Sequence, residues 1–337
     1  EEKIDNVAKL CEILKMRELF PMDWRFLRKF CDQRQGLELE ISPWSCEITK
    51  GFRDRLRVIK NALVWKKETA SIKLAKETIE MISALSEEKL LRFLMMGRLD
   101  KSETGQSFSI VVGDEGGMYL LFNSIPPKSK SEICVIEAGV SENFLREKRE
   151  VSNNKVILGK GNFGKVRFAL SLLGSLRVDI GQLICVKKSL SIGEKKLKQS
   201  NPLSEITEST LDDFLAKKVS DSIHSPLPID MTIVSSSKID NRHRKGYLFM
   251  ELVPENTADK IFCQKEYQKW EYQKPDILAV LETTQKLLED EKIFNSVVKP
   301  QNTLFDVLSR KMAIIDLGSS IFIEKNKNME GYDASAG

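Results

Sequence analysis

The stretch Leu158-Gly159-Lys160-Gly161-Asn162-Phe163-Gly164-Lys165-Val166 constrains this chain more than any other. It reads Gly-x-Gly-x-Phe-Gly-x-Val. The β-branched pair Val156 and Ile157 precedes it, and the alternating apolar residues Val166, Phe168 and Leu170 follow. Glycines set between two such runs predict strand, glycine turn, strand. A turn without Cβ atoms lies close over a phosphate chain, because backbone N–H groups approach where a side chain would collide. A purely structural hairpin uses the same pattern, so the residues downstream decide between the two.

The chain has 337 residues, enough for two domains and at least one large core. A hydrophobic content of 41% with 30% charged residues is that of an ordinary soluble globular chain. The net charge of +4 is too small to argue for nucleic acid. No apolar run is long enough for a bilayer and no leader pattern opens the sequence, so neither a membrane nor a nucleic-acid partner is expected. The six cysteines are scattered with no Cys-x-x-Cys pair, and His224 and His243 are the only histidines. A Cys/His zinc site is therefore not expected, and the thiols read as free in a reducing compartment. The expected location is the cytoplasm; a chain delivered into a host cytosol by a non-classical route would read the same way.

Residues 1–105 read as a mainly helical N-terminal domain. Ile4, Val7, Cys11 and Leu14 recur at helical spacing, as do Phe52, Leu56, Ile59 and Leu63, and then Ile72, Ala75, Ile79, Ile82 and Leu85. Arg53, Arg55, Arg57 and Lys60 between the second set read as a solvated outer face, with an acidic partner as the alternative. Trp24 and Trp44 read as packing residues. Ser86-Glu87-Glu88 is an N-cap with acids in the first turn, opening a short helix through Met96. Residues 106–150 form a β-rich connector: Ser107–Val112 and Met118–Phe122 flank a glycine-rich hairpin turn, and Ile133–Ile136 reads as a further short strand. Phe144–Val151 reads as a short helix or a linker.

After the glycine turn, Leu183-Ile184-Cys185-Val186-Lys187-Lys188 is an apolar strand ending in lysine. That fits a cation held against phosphates, and equally a charged strand edge that discourages aggregation. Tyr247–Val253 is a buried strand leading into Pro254. Pro275 opens a helix with Ile277, Leu278, Leu281 and Leu288 on its apolar side. Then come Lys299-Pro300-Gln301-Asn302-Thr303-Leu304 and a strand, Met312–Ile315, ending in Asp316-Leu317-Gly318.

In that order, Gly159–Val166, Ile184–Lys187, Glu251–Val253, Lys299–Leu304 and Asp316–Gly318 resemble the signature set of the protein kinases. The resemblance covers residues 150–337. It implies an α+β fold: a kinase-like N-lobe of antiparallel sheet plus helix over 151–253, and a partial, mainly helical C-lobe over 254–337 that ends in the activation segment. It also implies Mg-ATP as ligand. By position, Gly159, Gly161 and Gly164 would shape the loop over the phosphates and Lys187 would pair with them. Val166 and Cys185 would sandwich adenine, with Met250 behind, and the backbone of Glu251–Val253 would bond its edge. Lys299 would stand on the nucleotide side, and Asn302 and Asp316 would hold magnesium. The acid paired with Lys187 would come from Glu208, Asp212 or Asp213, with Glu208 preferred.

The departures from the pattern bear on activity. Where the family has His-Arg-Asp-Leu, this chain has Asn295-Ser296-Val297-Val298, so Val297 stands at the catalytic aspartate's place. A valine cannot accept a hydrogen bond from an attacking hydroxyl. The remaining residues 319–337 carry no Ala-Pro-Glu-like motif, so the helices that complete a C-lobe are expected to be missing. Three readings follow. The first is a nucleotide-binding pseudokinase with lost or weak phosphotransfer, regulating or scaffolding a protein partner through the helical domain or the kinase-like lobe. The second is an active atypical Ser/Thr kinase. The third is an interaction module that binds no nucleotide.

Overall fold

The structure, a computed structural model, describes residues 43–100, 108–113, 116–152, 156–160, 164–173, 178–189, 228–235, 244–253, 256–257, 293–295, 300–306, 311–315 and 320–322, with single helical positions at 278, 282, 285 and 289. The stripe from Ile4 to Leu14, Trp24 and the segment carrying Glu208, Asp212 and Asp213 lie outside these residues. The chain divides into two compact units, one of residues 1–206 and 229–252, the other of residues 207–228 and 253–337.

The first unit opens with three helices, α1 (Pro43–Val64), α2 (Ala70–Ser83) and α3 (Glu87–Met96). Their apolar stripes decide which faces are buried: Phe52, Leu56 and Leu63 of α1 and Ala75, Ile79 and Ile82 of α2 are fully enclosed. Capping fixes where the helices start. Thr69 Oγ1 accepts from Ile72 N at 3.2 Å, and Ser86 Oγ accepts from Lys89 N at 3.4 Å. Gly97, at φ 64°, ends α3 in the left-handed region and donates its N–H to Phe93 O at 2.8 Å. The expectation of a solvated basic face on α1 is corrected at two positions. Arg53 donates to Ser83 O (2.6 Å) and Leu85 O (2.8 Å), and Arg55 to Gly116 O (3.3 Å). Each lies along the side of the buried stripe and reaches carbonyls left free at a helix end or a turn.

The remaining elements of this unit are β1 (Arg98–Leu99), β2 (Phe108–Val112), β3 (Met118–Phe122), α4 (Lys130–Glu137), α5 (Glu142–Ser152), β4 (Gly159–Lys160), β5 (Gly164–Leu173), β6 (Leu183–Ser189), β7 (Pro228–Ser235) and β8 (Arg244–Glu251). The strands form one sheet of order β1-β2-β3-β5-β6-β8-β7, with β4 also on β5. The ladders from β1 through β8 are antiparallel. The chain is thus α+β, with an antiparallel sheet and several helices. β2 and β3 are buried on both faces, which explains their continuous apolar runs. Ile110, Val112, Leu120, Phe122, Phe168 and Leu170 join the helices in one core. The change of character near Gly105 therefore marks a change of element type within one packed unit.

The opposite face holds Val111, Tyr119, Leu121, Ala169, Ile184, Val186, Tyr247 and Phe249. The sheet curls around these residues. β3 and β8 stand three strand spacings apart in the sheet, ~14 Å if flat, yet the Tyr119 and Phe249 rings stack with centroids 3.9 Å apart. Asp230 of β7 closes the curl. Its carboxylate is 1% exposed and accepts from Tyr119 Oη at 3.0 Å and Gly117 N at 3.2 Å. Gly113 leaves room for it: a Cβ there would lie 1.8 Å from Asp230 Oδ2.

One expected strand is a helix. Residues Ile133–Ile136 lie in α4, where Ser129 Oγ accepts from Glu132 N at 3.2 Å and Glu132 takes the N–H of Lys128. Cys134 and Val135 are buried while Ile133 is 45% exposed, so the run does not alternate as a strand would. Ser129-x-x-Glu132 is a capping-box pattern. The segment from Phe144, expected as helix or linker, is the helix α5.

The second unit holds β9 (Asn256–Thr257), β10 (Ile293–Asn295), β11 (Thr303–Asp306), β12 (Lys311–Ile314) and β13 (Ser320–Phe322). β11 pairs with β12 and β9, and β10 with β13, all antiparallel. Leu278, Glu282, Gln285 and Glu289 are helical and exposed, so Leu278 is not on a buried side as its spacing suggested. Among the described residues no helix is long and apolar enough to cross a membrane.

The Asp230 contact makes a stability prediction. Asp230→Ala removes the acceptor of two buried donors, at roughly 1–3 kcal/mol each, and Gly113→Ala forces the carboxylate from its site. Both variants should show a lower urea midpoint than the parent protein. A midpoint unchanged in both would mean that the curl closes without this contact.

Candidate functional site

The glycine turn is anchored at its base. Leu158 N donates to Val166 O at 2.9 Å, and Gly159 and Lys160 stand opposite Val166 and Lys165. Gly164, buried, starts β5. Gly161 lies outside the described residues. The registers carry the turn across the sheet: Val166 faces Lys187 and Lys187 faces Leu248, while Phe168 faces Cys185 and Cys185 faces Met250. Directly opposed residues share a face. Val166, Cys185, Lys187 and Met250 therefore stand together on the helix-bearing face, one pleat beyond Phe168. Glu251 ends β8 opposite Ile184, exposed, and Val253 is half-buried.

Gly159 is, like Gly51 of α1, a glycine that the fold does not require. Its φ is not positive, and a Cβ added there would meet only Val166 Cγ2 at 3.8 Å and Cβ at 4.0 Å, ordinary contact. Gly113 and Gly181, by contrast, are required by close neighbours or by backbone angle. Neither packing nor torsion demands glycine at 159.

Cys185 offers little surface to a ligand. It is 7% exposed, and its Sγ donates to Glu251 O at 3.3 Å. Burial, followed by the charge of Glu251, pushes its thiol from 9.0 to about 12. The bond also holds the carbonyl at the start of the segment expected to meet adenine.

In the second unit a 3-10 turn, Pro300–Asn302, leads directly into β11. Asn302 is 7% exposed, and its carbonyl accepts from Ile315 N at 2.9 Å. Thr303 stands opposite Ile314. The backbone thus sets Asn302 beside the residue that precedes Asp316. Asn295 opposite Ser320 brings the chain entering the Val297 segment alongside the chain leaving Gly318. Val297, Lys299 and Asp316 themselves lie outside the described residues. Among the described residues no three His, Cys, Asp or Glu side chains form a metal cluster. The structure therefore assembles Gly159, Gly164, Val166, Cys185, Lys187 and Glu251 on one sheet, and separately sets Asn302 next to the approach to Asp316. Sequence reading missed the β10–β13 ladder, whose strands are three residues each and carry no periodic signal. It also missed Cys185's bond to Glu251, which depends on strand register.

No family model matches the chain, and no curated protein matches it.

Two outcomes follow. Gly159→Ala should melt within about a degree of the parent, since the fold does not need glycine there, yet lose the greater part of any nucleotide-induced shift. The thiol makes a pH prediction. Cys185 keeps its proton to about 12 when folded, so its contribution is fully present below 9.0 and lost as pH rises through about 12. Urea midpoints taken from pH 8 to pH 11 should fall more steeply in the parent than in Cys185→Ala; parallel curves would remove the thiol from the account.

Proposed function

We propose that the chain is a kinase-like Mg-ATP-binding protein with lost or weak phosphotransfer, acting on a protein partner as a regulator or scaffold. In this reading β4–β8 are the N-lobe sheet, and the segment from β9 to β13 is the partial C-lobe. The single observation that carries it is Gly159, a glycine the fold does not require, directly opposite Val166, whose other neighbour is Lys187. Support comes also from the main-chain bond that brings Asn302 beside the approach to Asp316. Gly159, Gly161 and Gly164 would cover the phosphates and Lys187 would neutralise them. Asn302 and Asp316 would hold the metal, which supplies charge neutralisation at the phosphates when bound.

Weak transfer follows from Val297. A base at this position typically contributes ~10²–10⁴ in rate, and alignment of the attacking hydroxyl contributes more through orientation. Binding does not need that group. Retained phosphate and metal residues beside an absent base are the composition of a site that binds and does not turn over.

Thermal-shift titration with ATP and magnesium tests binding. A ligand at 100 times its Kd stabilises by about 2.7 kcal/mol, so the melting temperature should climb with ATP in the parent and much less in Lys187→Met. No shift at millimolar ATP would instead favour a module that binds no nucleotide. Radiolabel transfer tests chemistry. Expected turnover is far below that of an ordinary kinase, and Val297→Asp should raise it. Fast turnover by the unmodified chain, abolished by Asp316→Ala, would make it an active atypical Ser/Thr kinase.

A further inference from the structure

The base of the glycine turn is held from two sides, and only one of them is the sheet. We propose that Lys148 of α5 is a positioning residue for the nucleotide, and that it couples the turn to the helical layer of the first unit. The proposal rests on the Mg-ATP reading above. Lys148 Nζ donates to Leu158 O at 3.1 Å, while Leu158 N donates to Val166 O at 2.9 Å. The residue directly before Gly159 thus has its N–H taken by β5 and its carbonyl taken by α5. Lys148 is itself steered. Its ammonium lies 5.0 Å from the ring centroid of Phe144, four residues earlier on the same side of α5. Phe144 packs against the core of the first unit, so the ring under the ammonium is backed by buried side chains.

The other end of the linkage is the next residue. Arg149 forms an ion pair with Glu132 of α4 in which both side chains are 13% exposed, and its Nε donates to Ile125 O at 2.9 Å. Leu145, one turn earlier, is fully buried and seats α5 in the core. Successive residues of a helix point ~100° apart, so α5 grips α4 with one cation and the turn with its neighbour. A shift of α5 at either contact therefore disturbs the other. The turn needs such an anchor because its glycines leave the backbone many conformations. A loop that holds its binding geometry only part of the time weakens the apparent affinity by that fraction. A charge-assisted bond to the carbonyl before Gly159 restricts the turn at its root. Lys148 acts through the turn and need not touch the nucleotide.

The test measures Mg-ATP affinity and amide hydrogen exchange on the full chain. The proteins are the parent, Lys148→Met, Lys148→Arg and, as a control for lost charge on α5, Arg146→Gln. Arg146 is exposed and donates to Asn143 of its own helix. Lys148→Met should bind Mg-ATP at least about fivefold more weakly. Lys148→Arg, which keeps a charged donor, should recover most of that loss, and Arg146→Gln should bind as the parent does. Without nucleotide, peptides covering Leu158–Val166 should exchange faster in Lys148→Met than in the parent. Coupling is reciprocal, so Mg-ATP should slow exchange in α5 of the parent. This last measurement needs no variant and stands even where Lys148→Met folds poorly. A parent that binds Mg-ATP with no change in α5 overturns the proposal and leaves the nucleotide reading intact. So does equal affinity in Lys148→Met and the parent, or an equal loss in Arg146→Gln. A parent that binds no Mg-ATP removes the nucleotide reading and the positioning role together.

Discussion

Strand β5 is the element on which the first unit depends. One of its edges pairs with β6 from Gly164 to Leu170; the other is shared, with β4 at its N-terminal end and β3 at its C-terminal end. Its C-terminal half therefore lies in the core that orders α1–α4, and its N-terminal half carries the glycine turn. Burial of Phe168, Leu170 and their neighbours, ~1.5–3 kcal/mol for each large side chain, fixes the register of the whole strand. A slip of one residue would turn Val166 inward and Arg167 outward. The hydrophobic core thus determines which charges face which side of the sheet.

That register separates two chemistries by the pleat alone. Lys165 and Arg167 alternate with Val166 and Phe168 along β5, and Lys188 follows Lys187 on β6. One strand pair thereby presents an apolar surface ending in one lysine on the helix-bearing face, and a cationic cluster on the concave face. A flat sheet would leave Arg98 and Tyr247 on strands far apart, whereas the Tyr119–Phe249 stack and the Asp230 carboxylate draw β1–β3 over β7 and β8.

Local signals were readable in the sequence where the determinants are local. Ser86 with Glu87 and Glu88 gave the start of α3, and the β-rich runs flanking Gly113–Gly117 gave β2 and β3. The order of glycine turn, lysine strand and the strand ending at Glu251 placed Gly159, Lys187 and Glu251 on strands that the structure joins. At Ile133–Ile136 four apolar or small residues looked like a strand, because the deciding information was the cap at Ser129 and Glu132, outside the run. Asp230 gave no signal at all: a carboxylate in an otherwise ordinary strand reads as solvent-facing, and only the curl buries it. The freedom at Gly159 was also invisible, since glycine types look alike until a Cβ is tested against its neighbours.

Under the proposed reading, the second unit would separate binding from catalysis for a physical reason. Asn302 is set beside the approach to Asp316 by a main-chain bond, and the β11–β12 and β10–β13 ladders on either side are likewise main-chain pairings. Such bonds do not depend on the side chain at 297. A valine there removes a hydrogen-bond acceptor needed only for an incoming hydroxyl, while the backbone that positions Asn302 stays intact. Under the proposed reading, the loss of the base costs the fold nothing and the metal-holding arrangement nothing. A chain in this state keeps its ligand-dependent stability after its chemistry has gone, and that stability is what a regulatory partner would sense.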